Sequence, residues 1–176
     1  PGSVFKIVTA SAALSEKKVS EEDKFFCENG KYQVGNHILH DHTPHGWLKF
    51  KEVIEQSSNI GTTKVAQILG GQVIYDYAKR FGFGFKAGID LPGEVSGMLK
   101  EPRFWSKTSI GAIPIGQEVG VTVLQLATAI SCIANNGVLM KPFIVKYIAD
   151  AQGELIKEFA PVIVRNVITN DIAIRV

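Results

Sequence analysis

The stretch Pro1-Gly2-Ser3-Val4-Phe5-Lys6 decides the fold, because it opens an apolar run that continues to Leu14. Pro-Gly is a common helix start, and the run holds no helix-breaking residue. The pattern predicts a helix that is apolar on nearly all sides and is therefore buried at the centre of a domain. Ser3 in its first turn and Lys6 should share one face.

The chemistry open to Ser3 and Lys6 follows from the expected burial. A lysine beside a buried helix start loses hydration, which lowers its pKa. The neutral amine could take the proton of Ser3 and make its oxygen a nucleophile. Free N–H groups at the helix start would favour the negative charge. The plainer alternative is that Ser3 caps a helix and Lys6 extends to solvent, and S-x-x-K alone does not exclude it.

A second candidate group is Ser57-Ser58-Asn59, between two predicted helices. Serine and asparagine are preferred where helices begin, so capping is one interpretation. A hydroxyl and a carboxamide in one short loop also suit a proton relay. Ser57 could pass a proton between Lys6 and a leaving amine, and Asn59 could hold a substrate amide and fix the lysine.

Length and composition limit the function classes. The 176 residues fit one domain, and an apolar fraction of 45% supports a core. A net charge of +2 without a basic run gives no reason to expect a nucleic-acid partner. No apolar stretch reaches membrane-spanning length and no signal peptide is visible in these residues, and a key motif at residue three suggests part of a longer protein. Cys27 and Cys132 are expected to be buried free thiols rather than a disulfide.

All four histidines lie in one short segment that also holds Asp41: His37, His40, His42 and His45. Four imidazoles this close together could bind zinc or nickel. The segment contains glycine and proline and lacks a cysteine pair, so a solvated loop is the favoured interpretation and no metal ligand is predicted.

Periodicity and turn signals predict the remaining elements. A hairpin is expected from 25–27 and 31–34 around Asn29-Gly30, and a long ordered loop over 83–103. The expected helices are 48–56, 60–69, 73–81, 123–135 after a Thr122 cap, and the beginning of a last helix at 170–176. Strands are expected at 138–148 and 154–159.

Longer motifs resemble those of a known family. Pro1 to Lys6 resembles the P-G-S-x-F-K active-site motif of penicillin-binding proteins, and Ser57-Ser58-Asn59-Ile60-Gly61 resembles their S-x-N motif with its S-S-N-x-G flank. The further matches are Gly46-Trp47-Leu48, residues 81–84, 88–94 and 116–122, and Leu124-Gln125-Leu126. Together they cover essentially the whole chain, which is identified as a member of the class B penicillin-binding proteins, the monofunctional transpeptidases, nearest the division and sporulation branch.

The resemblance implies a fold and four site residues. The fold would be α+β, the helix-rich part of the penicillin-binding transpeptidase or serine β-lactamase-like fold. Residues 1–176 would form a partial transpeptidase domain of serine helix, helical subdomain and peripheral hairpin, without most of the central antiparallel sheet. Ser3 would be the acylated nucleophile, Lys6 the general base, Ser57 the proton relay, and Asn59 the group that binds the acyl-donor amide.

The resemblance also implies an activity and partners. The substrate would be the D-Ala-D-Ala end of a peptidoglycan stem peptide, with an acyl-enzyme on Ser3 resolved by a neighbouring stem-peptide amine. β-Lactams would mimic the donor and stall at the acyl stage. No metal or organic cofactor is needed. A membrane anchor upstream, divisome membrane proteins as partners, and a location on the extracytoplasmic face of the bacterial cytoplasmic membrane are expected.

One family motif is absent from the chain. The family carries K-T-G or K-S-G on a strand beside the site, and no such triplet occurs here. Lys107-Thr108-Ser109 is similar in composition, but it precedes Gly116-Gln117 and lies in an irregular stretch, so it is not expected to be the third motif. The chain is therefore expected not to be competent alone.

Two alternatives from other classes remain. The first is a hydrolase on the same scaffold, a D,D-carboxypeptidase or serine β-lactamase, which residues 88–94 and 116–122 disfavour because they resemble the transpeptidases. The second is a non-catalytic module that binds a partner or a metal through the histidine segment. The retained Ser3, Lys6, Ser57 and Asn59 argue against a purely structural role.

Overall fold

The computed structural model describes residues 1–176 and shows a helix-rich α+β fold. The helices are α1 (Lys6–Ser15), α2 (Phe50–Glu55), α3 (Asn59–Leu69), α4 (Gly71–Arg80), α5 (Ser109–Ala112), α6 (Val123–Ala134) and α7 (Asn170–Arg175). The strands are β1 (Lys24–Phe26), β2 (Lys31–Val34), β3 (His37–His40), β4 (Trp47–Lys49), β5 (Val138–Met140), β6 (Tyr147–Ala149), β7 (Leu155–Glu158) and β8 (Ile163–Asn166). They pair antiparallel as β1–β4, β2–β3, β5–β8 and β6–β7, and no sheet exceeds two strands.

Helix α1 lies at the centre of the core, as its all-round apolar sequence predicts. It packs against α3, α4 and α7, and eight of its ten residues are buried. Phe5, just before the helix, is fully buried and its ring lies 5.2 Å from the ring of Phe83. The chain enters α1 through a 3-10 turn, Gly2–Phe5, so Ser3 precedes the α-helix proper.

A backbone contact fixes the 3-10 turn that carries Ser3. The Gly2 amide donates to the Gly116 carbonyl at 3.1 Å, and the Thr9 hydroxyl donates to the Pro114 carbonyl at 3.1 Å. Gly116 has φ +81°, and a Cβ there would lie 2.1 Å from the Gly2 carbonyl oxygen. Only glycine lets the two backbones approach this closely.

The hairpin expected around Asn29-Gly30 is wrong. Residues 25–27 do not pair with 31–34; β1 pairs with β4, and β2 pairs with β3 across the turn Gly35-Asn36. Asn29-Gly30 lies in a 3-10 turn between β1 and β2. Asn-Gly marks a turn but does not say which strands it joins, and Gly35, with φ +60°, supplies the two-residue hairpin turn instead.

The expected strand 138–148 is two strands. It is interrupted at residues 141–146, so that β5 pairs with β8 while β6 pairs with β7. The pairing of β6 with a returning strand across the turn at 150–153 is confirmed, whereas β8 was not predicted. Leu48 belongs to β4 rather than to a helix, and α2 begins at Phe50.

The expected α6 cap, the irregular segment 83–103 and the two free cysteines are confirmed. Thr122 caps α6 with a capping box to Gln125, and residues 83–103 are largely without regular structure. Both cysteines are buried and free.

Two histidines expected in a loop, His37 and His40, lie instead in β3. No group of three or more His, Cys, Asp or Glu side chains is arranged to hold a metal ion. None of the helices combines the length and the apolar composition that crossing a membrane requires.

We expect Gly116→Ala to destabilise the fold by about 3 kcal/mol or more, because the new methyl group meets Gly2 backbone and φ is left-handed. Gly93→Ala is the matched control, since Gly93 has φ +83° but open space around its Cβ position; we expect a loss of about 1 kcal/mol there. Urea unfolding of the three proteins checks this. Equal losses for both variants would mean that the Gly2 contact is not a constraint.

Candidate active site

Lys6 is the centre of the candidate site. It is only 3% exposed, yet its ammonium group makes three hydrogen bonds. Its Nζ donates to the Ser57 carbonyl at 2.5 Å, the Ser57 hydroxyl at 2.9 Å and the Asn59 Oδ1 at 2.9 Å. An ammonium carries three N–H donors, so every one is matched. Lys6 therefore does not extend to solvent, and the alternative of an exposed lysine is excluded.

Ser57 connects Lys6 to Ser3. The Ser57 hydroxyl accepts from Lys6 and donates to the Ser3 Oγ at 3.0 Å. No direct hydrogen bond joins Lys6 to Ser3, so the hydrogen-bond path between these two side chains passes through Ser57. Ser57 has φ +53°, a conformation uncommon for a serine, in the connection between α2 and α3. The structure thus brings all four predicted site residues together.

Asn59 is held from both ends of its amide. Its Nδ2 donates to the His40 carbonyl at 2.8 Å, while its Oδ1 accepts from Lys6. The first contact fixes which end of the amide faces the lysine. One hydrogen of the Nδ2 group has no hydrogen-bond partner, and Asn59 is only partly buried, so this hydrogen can donate to a further acceptor.

Burial lowers the pKa of Lys6 from 10.5 to about 8, and the negative charge of Asp41 opposes this shift by raising it. Loss of hydration is the larger cause, since the charged form of an amine is penalised in a low-dielectric surrounding. A base with a pKa near 8 is partly neutral at neutral pH and can accept a proton from a hydroxyl.

Sequence reasoning assigned Asp41 no role beyond the histidine segment, but it lies at the second motif. Its Oδ2 accepts from the Ser58 hydroxyl at 2.7 Å and its Oδ1 accepts from the Ile60 amide at 3.0 Å. The Ser58 hydroxyl in turn accepts from the Gly61 amide at 2.9 Å, which caps α3. Asp41 precedes Ile60 by 19 residues in the chain, so no local signal in the sequence links it to α3.

Lys107 and Thr108 lie in a turn before α5, and Ser109 is the first residue of that short helix. None of the three is on a strand, and the Ser109 hydroxyl donates to Glu118 at 2.8 Å. The expectation that Lys107 does not lie on a strand is confirmed.

We expect the stability of the protein to rise between pH 8 and pH 10 relative to a Lys6→Met variant. In this range folded Lys6 loses its proton while the unfolded chain, with a pKa near 10.5, keeps it. The unfolded state then binds more protons, so unfolding becomes less favourable as pH rises, by at most about 1.4 kcal/mol per pH unit. Denaturant unfolding at several pH values measures it.

The control for this measurement is Lys86→Met, since Lys86 is exposed and folding removes little of its hydration. Its stability curve should run parallel to that of the wild type. A wild-type curve parallel to that of Lys6→Met would contradict a buried lysine with a lowered pKa.

Comparisons with known proteins identify the family of this chain. A family model described as penicillin binding protein transpeptidase domain matches residues 1–176. Penicillin-binding protein PbpB of Mycobacterium tuberculosis is 36% identical over 163 residues, which cover 92% of this chain and 24% of PbpB. Stage V sporulation protein D of Bacillus subtilis is 34% identical over 174 residues, 97% of this chain and 27% of that protein. The chain spans about a quarter of the length of these relatives.

Solved structures share the fold. Penicillin-binding protein 3 from Mycobacterium tuberculosis, in complex with ampicillin, superposes with a TM-score of 0.89 at 34% identity, over 98% of this chain and 38% of that one. The D,D-transpeptidase domain of a peptidoglycan glycosyltransferase from Eggerthella lenta gives a TM-score of 0.90 at 26% identity, over 98% and 45%. Because the family model matches the whole chain and the fold is shared, this chain belongs to the family of penicillin-binding protein transpeptidase domains.

Proposed function

We propose that this chain carries the nucleophile, the base and the proton relay of a serine-type peptidoglycan D,D-transpeptidase. The observation that carries the proposal is the continuous hydrogen-bond path from Lys6 through Ser57 to Ser3. A serine hydroxyl is a weak nucleophile until a base removes its proton. A hydrogen-bond path from that hydroxyl to a lysine of lowered pKa provides such a base for acyl transfer.

The first half-reaction forms an acyl-enzyme. When Lys6 is neutral the two hydrogen bonds must reverse, so that Ser3 donates to Ser57 and Ser57 donates to the Lys6 Nζ. Lys6 then takes the proton of Ser57 while Ser57 takes the proton of Ser3, and the Ser3 oxygen attacks the carbonyl carbon of the penultimate D-alanine of a stem peptide. Protonated Lys6 then returns the proton through Ser57 to the leaving nitrogen. The peptide bond breaks, D-alanine leaves, and the donor is held as an ester on Ser3.

The second half-reaction forms the cross-link. The amine of a neighbouring stem peptide attacks the ester carbonyl, and its proton passes to Lys6 along the same path. The ester bond breaks and Ser3 recovers its proton. Asn59 supports both steps, because its unpartnered Nδ2 hydrogen can donate to a carbonyl of the donor while its Oδ1 holds Lys6 in place.

A β-lactam reacts through the same first step, since its strained amide presents a carbonyl to Ser3 and its leaving nitrogen stays tethered. The solved structures of penicillin-binding protein 3 in complex with ampicillin and with aztreonam support this, as structures of a relative with the same fold.

We propose the role of the whole protein from the names of its relatives. Curated relatives include probable peptidoglycan D,D-transpeptidases and a sporulation protein, which supports a role in cell-wall synthesis during division or sporulation. We propose that residues 1–176 are a partial transpeptidase domain acting on the extracytoplasmic face of the membrane. There it would meet stem peptides and divisome proteins. The missing K-T-G motif means that these residues should need a further strand to react at full rate.

Incubation with a fluorescent penicillin, followed by intact mass, tests the nucleophile. We expect a stable adduct on a version that carries a K-T-G motif, a weaker one or none on residues 1–176 alone, and none on Ser3→Ala of either. Ser96→Ala, an exposed serine far along the chain, is the matched control and should react as the wild type does.

Two outcomes would contradict the proposal. An adduct of equal yield on Ser3→Ala would place the nucleophile elsewhere, and no adduct on the version with K-T-G would reject acyl-serine chemistry for this site. Rapid turnover of the adduct, rather than a stable acyl-enzyme, would favour a hydrolase over a transpeptidase.

A further inference from the structure

A cavity of about 360 Å³ lies between the β2–β3 hairpin and the part of the chain that runs from α5 to Glu118. We propose that this cavity binds the primary ammonium group of the acceptor stem peptide, and that Glu118 is the residue that holds it. The inference rests on the proposed function, because it names where the second substrate of that reaction binds.

The hairpin forms one wall of the cavity and leads to Asn59. Leu39 lines the cavity, and the carbonyl of the next residue, His40, accepts from the Asn59 Nδ2 at 2.8 Å. At the other end of the hairpin Val34 packs against Gly111 of α5, where a Cβ on the glycine would lie 3.1 Å from the valine side chain. The two walls therefore meet at the hairpin turn, and the strand that leads away from this turn reaches the candidate site.

The opposite wall leads to Ser3. Gln117 and Glu118 line the cavity, and the residue before them, Gly116, accepts the Gly2 amide at 3.1 Å. Gly2 is joined directly to Ser3. Each wall is thus within one or two residues of a contact that holds the site, so a molecule in the cavity lies next to the place where the donor ester would form.

Glu118 gives the cavity a negative charge. It is the only acidic residue in the lining, which contains no lysine or arginine. Its Oε2 accepts from the hydroxyl of Ser109, a residue that is 1% exposed, at 2.8 Å, whereas its Oε1 accepts no hydrogen bond. The nearest cation is the Lys100 Nζ, 4.0 Å from Oε2 and beyond hydrogen-bonding distance. One carboxylate oxygen is therefore free to accept from a charged donor, which is a strong type of hydrogen bond.

The backbone around Glu118 is fixed in an uncommon conformation. Glu118 has φ +56°, in the left-handed region that a non-glycine residue seldom occupies. The Gln117 amide donates to the Ala112 carbonyl at 3.0 Å, and Gly120 and Met98 exchange two backbone hydrogen bonds. A costly conformation persists only where the surroundings hold it. The carboxylate is therefore positioned before any ligand arrives, which reduces the cost of binding.

The lining suits an ammonium group better than a metal ion. An ammonium group has three N–H donors, and one of them can bond to the Glu118 Oε1. Acceptors for the other two are available in the same lining, on the side chains of Asn36, Thr108 and Gln117. No group of three His, Cys, Asp or Glu side chains could hold a metal ion. With its side chain 31% exposed, Glu118 is partly shielded from water, which strengthens its attraction for a cation.

Glu118 binds the charged form of the acceptor, whereas the reaction uses the neutral form. A primary alkyl amine is protonated at neutral pH, as the lysine side chain is. The bound ammonium releases one proton to solvent, and the neutral amine then attacks the donor ester on Ser3. The C–N bond forms, the C–O bond to Ser3 breaks, and one proton of the nitrogen passes along the path through Ser57 so that Ser3 recovers its own. Glu118 therefore affects the binding of the acceptor.

The first experiment measures binding without any acylation. A 15N-labelled version that carries K-T-G is titrated by NMR with Nα-acetyl-lysine amide, whose only charge is a primary ammonium group. The diacetylated lysine amide is the neutral control ligand. Glu118→Gln removes the charge and keeps an acceptor for the Ser109 hydroxyl, and Glu158→Gln makes the same change at an exposed position of β7.

We expect the charged ligand to shift the amide signals of residues 36–39 and 117–118, and the neutral ligand to leave them in place. Glu118→Gln should weaken binding about tenfold or more, because a charged hydrogen bond is replaced by a neutral one. Glu158→Gln should bind as the wild type does. The absence of shifts in the wild type, or equal affinities of the wild type and Glu118→Gln, would overturn the ammonium site.

The second experiment measures acyl transfer. A benzoyl-D-alanyl thioester acylates the version that carries K-T-G, and the rate of transfer to Nα-acetyl-lysine amide is followed against acceptor concentration. Glu118→Gln should raise the half-saturating acceptor concentration about tenfold, with a much smaller change in the maximal rate. Glu158→Gln should change neither quantity.

The two experiments separate the inference from the proposed function. Binding that depends on Glu118 together with an unchanged half-saturating concentration would overturn the assignment to the acceptor. If binding depends on Glu118 while no variant forms an acyl-enzyme, the proposed function fails and the ammonium site remains.

Discussion

The structure depends on a buried ammonium group that one short loop satisfies. Lys6 is almost fully enclosed, and an enclosed charge without partners is unfavourable by several kcal/mol. Ser57 and Asn59 supply all three acceptors, two of them from the same serine. The start of α1 and the start of α3 must therefore lie at one fixed separation, and the rest of the fold maintains it.

Two backbone contacts maintain that separation. On one side the Gly116 carbonyl holds the turn that carries Ser3, and on the other the His40 carbonyl holds Asn59. Both acceptors are backbone carbonyls, so the positions of Ser3 and Asn59 depend on the path of the chain and not on the side chains of Gly116 and His40. Site groups fixed by rigid surroundings need little rearrangement when a reaction begins, which is how proteins reach the positional accuracy that acyl transfer demands.

The sequence was sufficient where local pattern decides the structure. The apolar run after Ser3 predicts α1, Thr122 predicts the cap of α6, and the resemblance of the motifs to the family predicts the four side chains that the structure brings together. It was insufficient where distant partners decide it. Asn29-Gly30 does not reveal that β1 pairs with β4. Asp41 cannot be linked to α3 from the sequence, because tertiary packing brings its hydrogen-bond donors, Ser58 and Ile60, to it.

The register of the β2–β3 hairpin carries a consequence for how this site can vary. Asp41 and the His40 carbonyl reach α3 only because Val34 pairs with His37 across a two-residue turn. Since successive strand residues face opposite sides, loss or gain of one residue in that turn would exchange the groups presented to α3. We therefore expect related sequences to tolerate insertions and deletions in the irregular segment 83–103 but not in the β2–β3 hairpin. The length of this hairpin should be more constrained by the site than the identities of its exposed side chains.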